Sequence, residues 1–133
     1  MSRTFPDLRL EAGRLEDLSF TLIDRNKNPL PIDPSDELYF DLSQVAGGPA
    51  VLGLSNTVAL AGGSIIEITT RGDGTVTPKL PCRGKIRLFG ADTNDLDGFY
   101  FGAFDLMDDS EPGVAIKPIT RGRVLFNDNV NRP

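Results

Sequence analysis

The chain contains no histidine, no tryptophan and a single cysteine, Cys82. The lack of histidine excludes a Ser-His-Asp triad, a Cys-His dyad and every histidine-ligated metal site. A lone cysteine excludes an intrachain disulfide and a cysteine-rich zinc site. Basic residues are in the minority, with 14 Lys and Arg against 19 Asp and Glu and a net charge of −5. A nucleic-acid binder normally presents a basic face, so this balance argues against one. The N-terminus has no apolar run of secretory length. The longest uncharged run, Leu42 to Ile66, is broken by Gly47, Gly48, Pro49, Gly53, Gly62 and Gly63. Neither a signal peptide nor a membrane helix is expected, and synthesis in a cytosol follows. Binding, scaffolding and carboxylate-based chemistry remain.

The 133 residues suit one domain spanning 1–133, with a core over about 7–127 and arms at 1–6 and 129–133. A chain of this length buries roughly two thirds of its unfolded surface and needs no staples. Fourteen Gly and ten Pro are spread along it, leaving almost no room for long helices. Short apolar runs between turn residues predict an all-β sandwich or barrel. Strands are expected at Leu8–Leu10, Leu18–Leu22, Leu38–Leu42, Ile65–Thr70, Ile86–Leu88 and Phe99–Leu106, each alternating or β-branched. Ala115–Ile116 and Val124–Phe126 complete the set. Thr75–Thr77 is expected to extend the Ile65–Thr70 strand beyond a tight Gly72-Asp73-Gly74 hairpin. Val51–Leu60 is weakly patterned and fits a strand pair or an ordered loop. Asp92 is expected to cap one helical turn.

Carboxylates are the available chemistry. Asp92, Asp95 and Asp97 form one cluster, and Asp105, Asp108, Asp109 and Glu111 another. A glycosidase needs two carboxylates across a groove rimmed by aromatics, and two Tyr with no Trp supply little of that. Turn capping is the plainer reading. The 92–98 stretch is oxygen-rich but places Leu96 where an EF-hand needs a ligand. Cys82 precedes Arg83, which lowers a thiol pKa when close, but no general base accompanies it. A small residue at a strand start is the plainer reading there too. None of the Gly-rich stretches matches a phosphate-binding loop. Arg121-Gly122-Arg123 is the densest basic group. It fits Arg–Asp pairing between subunits or a charged strand edge. Around Tyr100, alternation sends Phe99 and Phe101 to the opposite face, where an exposed Phe marks a contact surface.

Two stretches carry a resemblance. The first is Leu18-Ser19-Phe20-Thr21-Leu22-Ile23-Asp24, a polar turn, Asn28-Pro29-Leu30-Pro31-Ile32, then Leu38-Tyr39-Phe40-Asp41-Leu42. The second is Ala91-Asp92-Thr93, Leu96, Gly98-Phe99-Tyr100 and Ala103-Phe104-Asp105-Leu106, returning through Ile116 and Pro118 to Gly122-Arg123-Val124. Together, over about residues 14–127, they resemble the small immunoglobulin-like β-sandwich structural proteins of tailed bacteriophages, such as the N-terminal domains of baseplate upper proteins. The usual turn glycine is replaced by Asn26 or Asn28, which also tolerate positive φ. The resemblance implies an antiparallel immunoglobulin-like sandwich of about 7–9 short strands with no catalytic, cofactor or metal residues. It implies a non-enzymatic component of a virion, in its tail, baseplate, neck or capsid surface, acting through multi-copy assembly. Its partners would be copies of itself and other virion proteins, not nucleic acid or membrane. Arg121, Arg123, Asn26, Asn28 and Phe101 are the candidate interface residues. The alternative is a carbohydrate- or host-surface-binding module, calcium-aided through the 92–97 or 108–111 loops. A third reading is a small carboxylate hydrolase.

Overall fold

The computed structural model describes residues 3–4, 8–24, 26–108 and 115–127. The order is β1 (Arg3–Thr4), β2 (Leu8–Glu11), β3 (Glu16–Thr21), β4 (Glu37–Ser43), β5 (Ala50–Ser55), β6 (Ile65–Thr70) and β7 (Arg83–Leu88). A short helix α1 (Gly90–Thr93) then leads into β8 (Gly98–Asp108) and β9 (Ala115–Asn127). The larger sheet runs β9-β8-β4-β5, with β1 and β2 along the outer side of β9. The smaller runs β3-β7-β6. The protein is therefore a β-sandwich. The chain crosses between the two sheets at β2–β3, β3–β4, β5–β6 and β7–β8. It is not antiparallel throughout: β1 and β2 both pair parallel to β9.

Alternation builds the core. In β4, Leu38, Phe40 and Leu42 point inward and are buried, while Tyr39 and Asp41 face out. Leu54, Ile66, Ile86, Leu88, Val124 and Phe126 complete much of the interior. Each such side chain contributes about 1.5–3 kcal/mol on burial. Antibody domains of this shape centre on a disulfide and a Trp, and this chain has neither. Three phenylalanines occupy the middle instead. Phe104 of β8 meets Phe20 of β3 at 5.1 Å and Phe40 of β4 at 6.5 Å between ring centroids, both edge to face. At the entry to β8, the Tyr100 hydroxyl accepts a hydrogen bond from the Asp97 N–H at 3.2 Å. That back-bond fixes the corner where the chain enters the larger sheet.

Several local expectations change. Thr75–Thr77 do not extend β6. Asp73 bridges to Leu80 instead, so the chain bulges out between them rather than turning tightly at Gly72-Asp73-Gly74. The Asp73 carboxylate, which accepts from the Thr75 N–H at 2.8 Å and its hydroxyl at 2.6 Å, holds that loop. Of the weakly patterned Val51–Leu60 stretch, only the first part is strand, within β5. Ala115–Ile116 and Val124–Phe126 belong to one strand, β9, which accommodates Pro118 opposite Asp105 at a register shift. Arg3 and Thr4, placed in an arm by sequence, pair with Thr120 and Arg121. In the turn after β3, Lys27 takes the positive φ of 67°, not Asn26 or Asn28.

Asp92 does not cap α1, which begins after Phe89. Its two carboxylate oxygens accept from the Gly62 and Ser64 amides at 2.9 and 3.0 Å. The neighbouring Thr93 hydroxyl accepts from the Gly13 amide at 3.1 Å. Asp92-Thr93 thus clamps two loops, the β5–β6 and β2–β3 connections, to the segment that carries the chain from one sheet to the other.

Candidate functional site

Because Tyr100, Phe104 and Leu106 point inward from β8, Phe99, Phe101 and Ala103 must point outward. Phe99 and Phe101 are 55% and 39% exposed. The β8–β9 register sets Phe101 opposite Arg123 and Phe99 opposite Leu125. The Arg123 guanidinium lies over the Phe99 ring, 5.2 Å from its centroid, in cation–π geometry. On the other flank, Ser43 stands opposite Phe101 and Asp41 opposite Ala103.

These residues rim a depression of about 540 Å³ on the outer face of the larger sheet. Phe101 and Arg123 form one wall and Asp41 and Ser43 another, while Gly47 and Gly48 of the β4–β5 turn overhang the end. Gly102 and Gly122, paired across β8 and β9, contribute backbone alone. The surface joins aromatic area, a cation and a carboxylate. Aromatics and Arg are the residue types enriched where proteins meet.

The sequence candidates separate into two places. Phe101 and Arg123 come together, as described. Arg121 follows in β9 opposite Ala103, and its side chain lies outside the described residues. Arg121 is not on an open edge, since Thr4 of β1 pairs with it, and β2 joins β9 from Val124 onward. β9 is flanked by β8 on one side and by β1 and β2 on the other. Asn26 and Asn28 sit in the connection that feeds the start of β4, whereas Phe101 lies level with Ser43 at its end. Their backbone N–H groups donate to the Asp24 carboxylate at 2.8 and 2.9 Å, which is turn chemistry. Asp41 and Ser43 are not among the sequence candidates, and Gly47-Gly48 reads from sequence only as a turn. The alternation that buries Phe40 and Leu42 could have found Asp41.

The remaining candidates are occupied structurally. Burial pushes the Asp92 carboxyl up, but the hydrogen bonds from Ser64 and Gly62 outweigh it and leave the pKa below the ordinary value. Cys82 is fully buried just before β7. Burial raises its thiol from 9.0 to about 11, against a smaller opposing pull from Arg71 rather than Arg83. A thiol so placed is not a nucleophile at neutral pH. Asp109 and Glu111 lie outside the described residues. Among the described residues, no group of three Cys, Asp or Glu stands close enough to hold a metal ion. Compared with protein-family models, curated proteins and solved structures, the chain matches none.

Proposed function

We propose that the protein is a non-enzymatic structural component of a tailed-phage particle. It acts in multiple copies and uses the outer face of the larger sheet as its contact surface. The carrying observation is the pair of exposed rings, Phe99 and Phe101, with Arg123 stacked on one of them beside a depression. Solvent-facing aromatics fixed on rigid strands are costly to leave uncovered and lose little entropy on docking. The phage assignment is supported by the two sequence motifs and by the sandwich they are embedded in. Its partners are copies of itself and other virion proteins.

The test is mass spectrometry of purified particles from cells expressing either the wild-type chain or Phe101→Asp. The wild type is expected in stoichiometric amounts. Phe101→Asp is expected to fold, judged by circular dichroism, and to be depleted from particles. Particles lacking the wild-type chain would overturn the assignment. Normal incorporation of folded Phe101→Asp would overturn the choice of surface.

A further inference from the structure

The larger sheet ends at β5. Among the described residues no strand pairs with its outer side, and no backbone hydrogen bond leaves it in that direction. Such an edge is a template for another strand, and monomeric proteins usually block it with charge, proline or a covering segment. The other edges here follow that rule. The β2 edge carries Arg9 and Glu11. β3 carries Glu16 and Asp17, and β6 carries Glu67. β5, Ala50-Val51-Leu52-Gly53-Leu54-Ser55, has neither a charge nor a proline, and its one irregularity is a register shift against β4 at Val51. It lies inside the uncharged run from Leu42 to Ile66 in a chain that is 25% charged overall. Val51 on it, and Val45 and Val58 in the connections at its two ends, are exposed at 46%, 59% and 68%.

We infer that β5 is a self-association edge, on which a second copy of this chain adds its own β5 antiparallel. Charge selects that occupant. Two copies with a net charge of −5 each repel across most of their surfaces, so contact is least opposed where charge is absent from both partners. A charged strand would find no counter-charge on β5, whereas an identical β5 meets it with equally neutral side chains. Symmetry supports it as well. Antiparallel pairing of one strand with its copy follows a two-fold axis, buries both open edges and stops at two chains.

The axis must be perpendicular to the sheet, because only that rotation reverses a strand and sets it beside itself. The result is a continuous sheet, β9-β8-β4-β5 joined to the same order reversed. The two Phe101–Arg123 faces then lie on the same side. This deepens the multi-copy reading above, yet it is a property of the chain in solution and is measured without particles.

The experiment is sedimentation velocity on the purified full chain over a range of concentrations, with hydrogen exchange read at both ends of that range. A monomer–dimer equilibrium is expected, with amides in 50–55 becoming slower to exchange as the dimer forms. Val51→Lys, an exposed position, should weaken the dimer by at least about tenfold through like charges brought together at the junction. Val51→Glu should do the same, and serves if the lysine variant does not fold. Val76→Lys, an exposed position in the loop between Asp73 and Leu80, should leave the dimer intact. A monomer at every concentration would overturn the inference and leave β5 open for a strand of another protein. So would a dimer that neither Val51 variant weakens. Neither result bears on whether particles contain the protein, so the two proposals fail separately.

Discussion

Phe20 and Phe104 belong to different sheets and meet edge to face with 5.1 Å between their centroids. Phe40 stands on the other side of Phe104 at 6.5 Å. Phe104 therefore joins both layers through aromatic contacts, where a disulfide would do so covalently. Phe104→Ala should cost about 3–5 kcal/mol in urea denaturation. Phe20→Ala should cost less, because Phe20 is only half-buried. A double-mutant cycle should return a coupling of about 0.5–1.5 kcal/mol between the two rings. A coupling near zero would mean that the contact is incidental.

The Asp92 clamp gives the fold an acid-sensitive element. Its pKa lies below the ordinary value, so its stabilising contribution is complete above the unfolded value of about 3.9. The contribution is lost as pH falls through the folded value. Asp92→Asn should lower stability at pH 7 by about 1–3 kcal/mol, the scale of hydrogen bonds to a charged group. It should also flatten the acid limb below the unfolded carboxylate value of about 3.9. Stability curves at several pH values check both outcomes.

Cys82 behaves oppositely with pH. Its thiol is raised to about 11 by burial, so the unfolded chain ionises first as pH rises. The stabilisation is full below the ordinary value of 9.0 and declines as pH climbs towards about 11. The native protein should resist a thiol-reactive dye at pH 8 and react on unfolding. Subtracting the Cys82→Ala stability curve from that of the wild type between pH 8 and pH 11 isolates the thiol's share. Rapid labelling of the native protein would contradict the burial.

Two glycines should respond differently to alanine. Gly98 has a φ of +88° with open space around the position of a Cβ, so Gly98→Ala should cost only the backbone strain, about 1–2 kcal/mol. At Gly84 a Cβ would lie 2.2 Å from the Glu67 carbonyl oxygen and 2.8 Å from the Phe20 ring. Gly84→Ala must push β6 away from β7 or displace the central ring, so it should cost more, about 3 kcal/mol. Equal thermal shifts for the two variants would count against this packing.

Much of the sandwich is legible in the sequence because period-2 alternation reports directly which face of a strand is buried. Leu38, Phe40 and Leu42 announce β4, and Phe99 to Leu106 announce both the inner and outer faces of β8. The local misses have a common cause, in long-range partners that no nearby residue encodes. Asp92 looks like a cap because α1 follows Phe89 closely, yet its partners, Gly62 and Ser64, are about thirty positions earlier. Arg121 looks like an edge charge until Thr4 of β1 is seen to pair with it. Of the candidate site, Phe101 and Arg123 were visible as residue types, but their pairing depends on the β8–β9 register. Asn26 and Asn28 were visible as turn residues, and a turn is where they are.

The parallel run of β1 and β2 along β9 also sets how the molecule bears load. Arg3 lies level with Thr120, and Glu11 with Asn127. A pull applied between Arg3 and Asn127 drags these strands in opposite directions along their common axis. The hydrogen bonds joining them are then strained together, in shear, instead of opening one after another like a zipper. Tension along the chain therefore loads this seam as a unit.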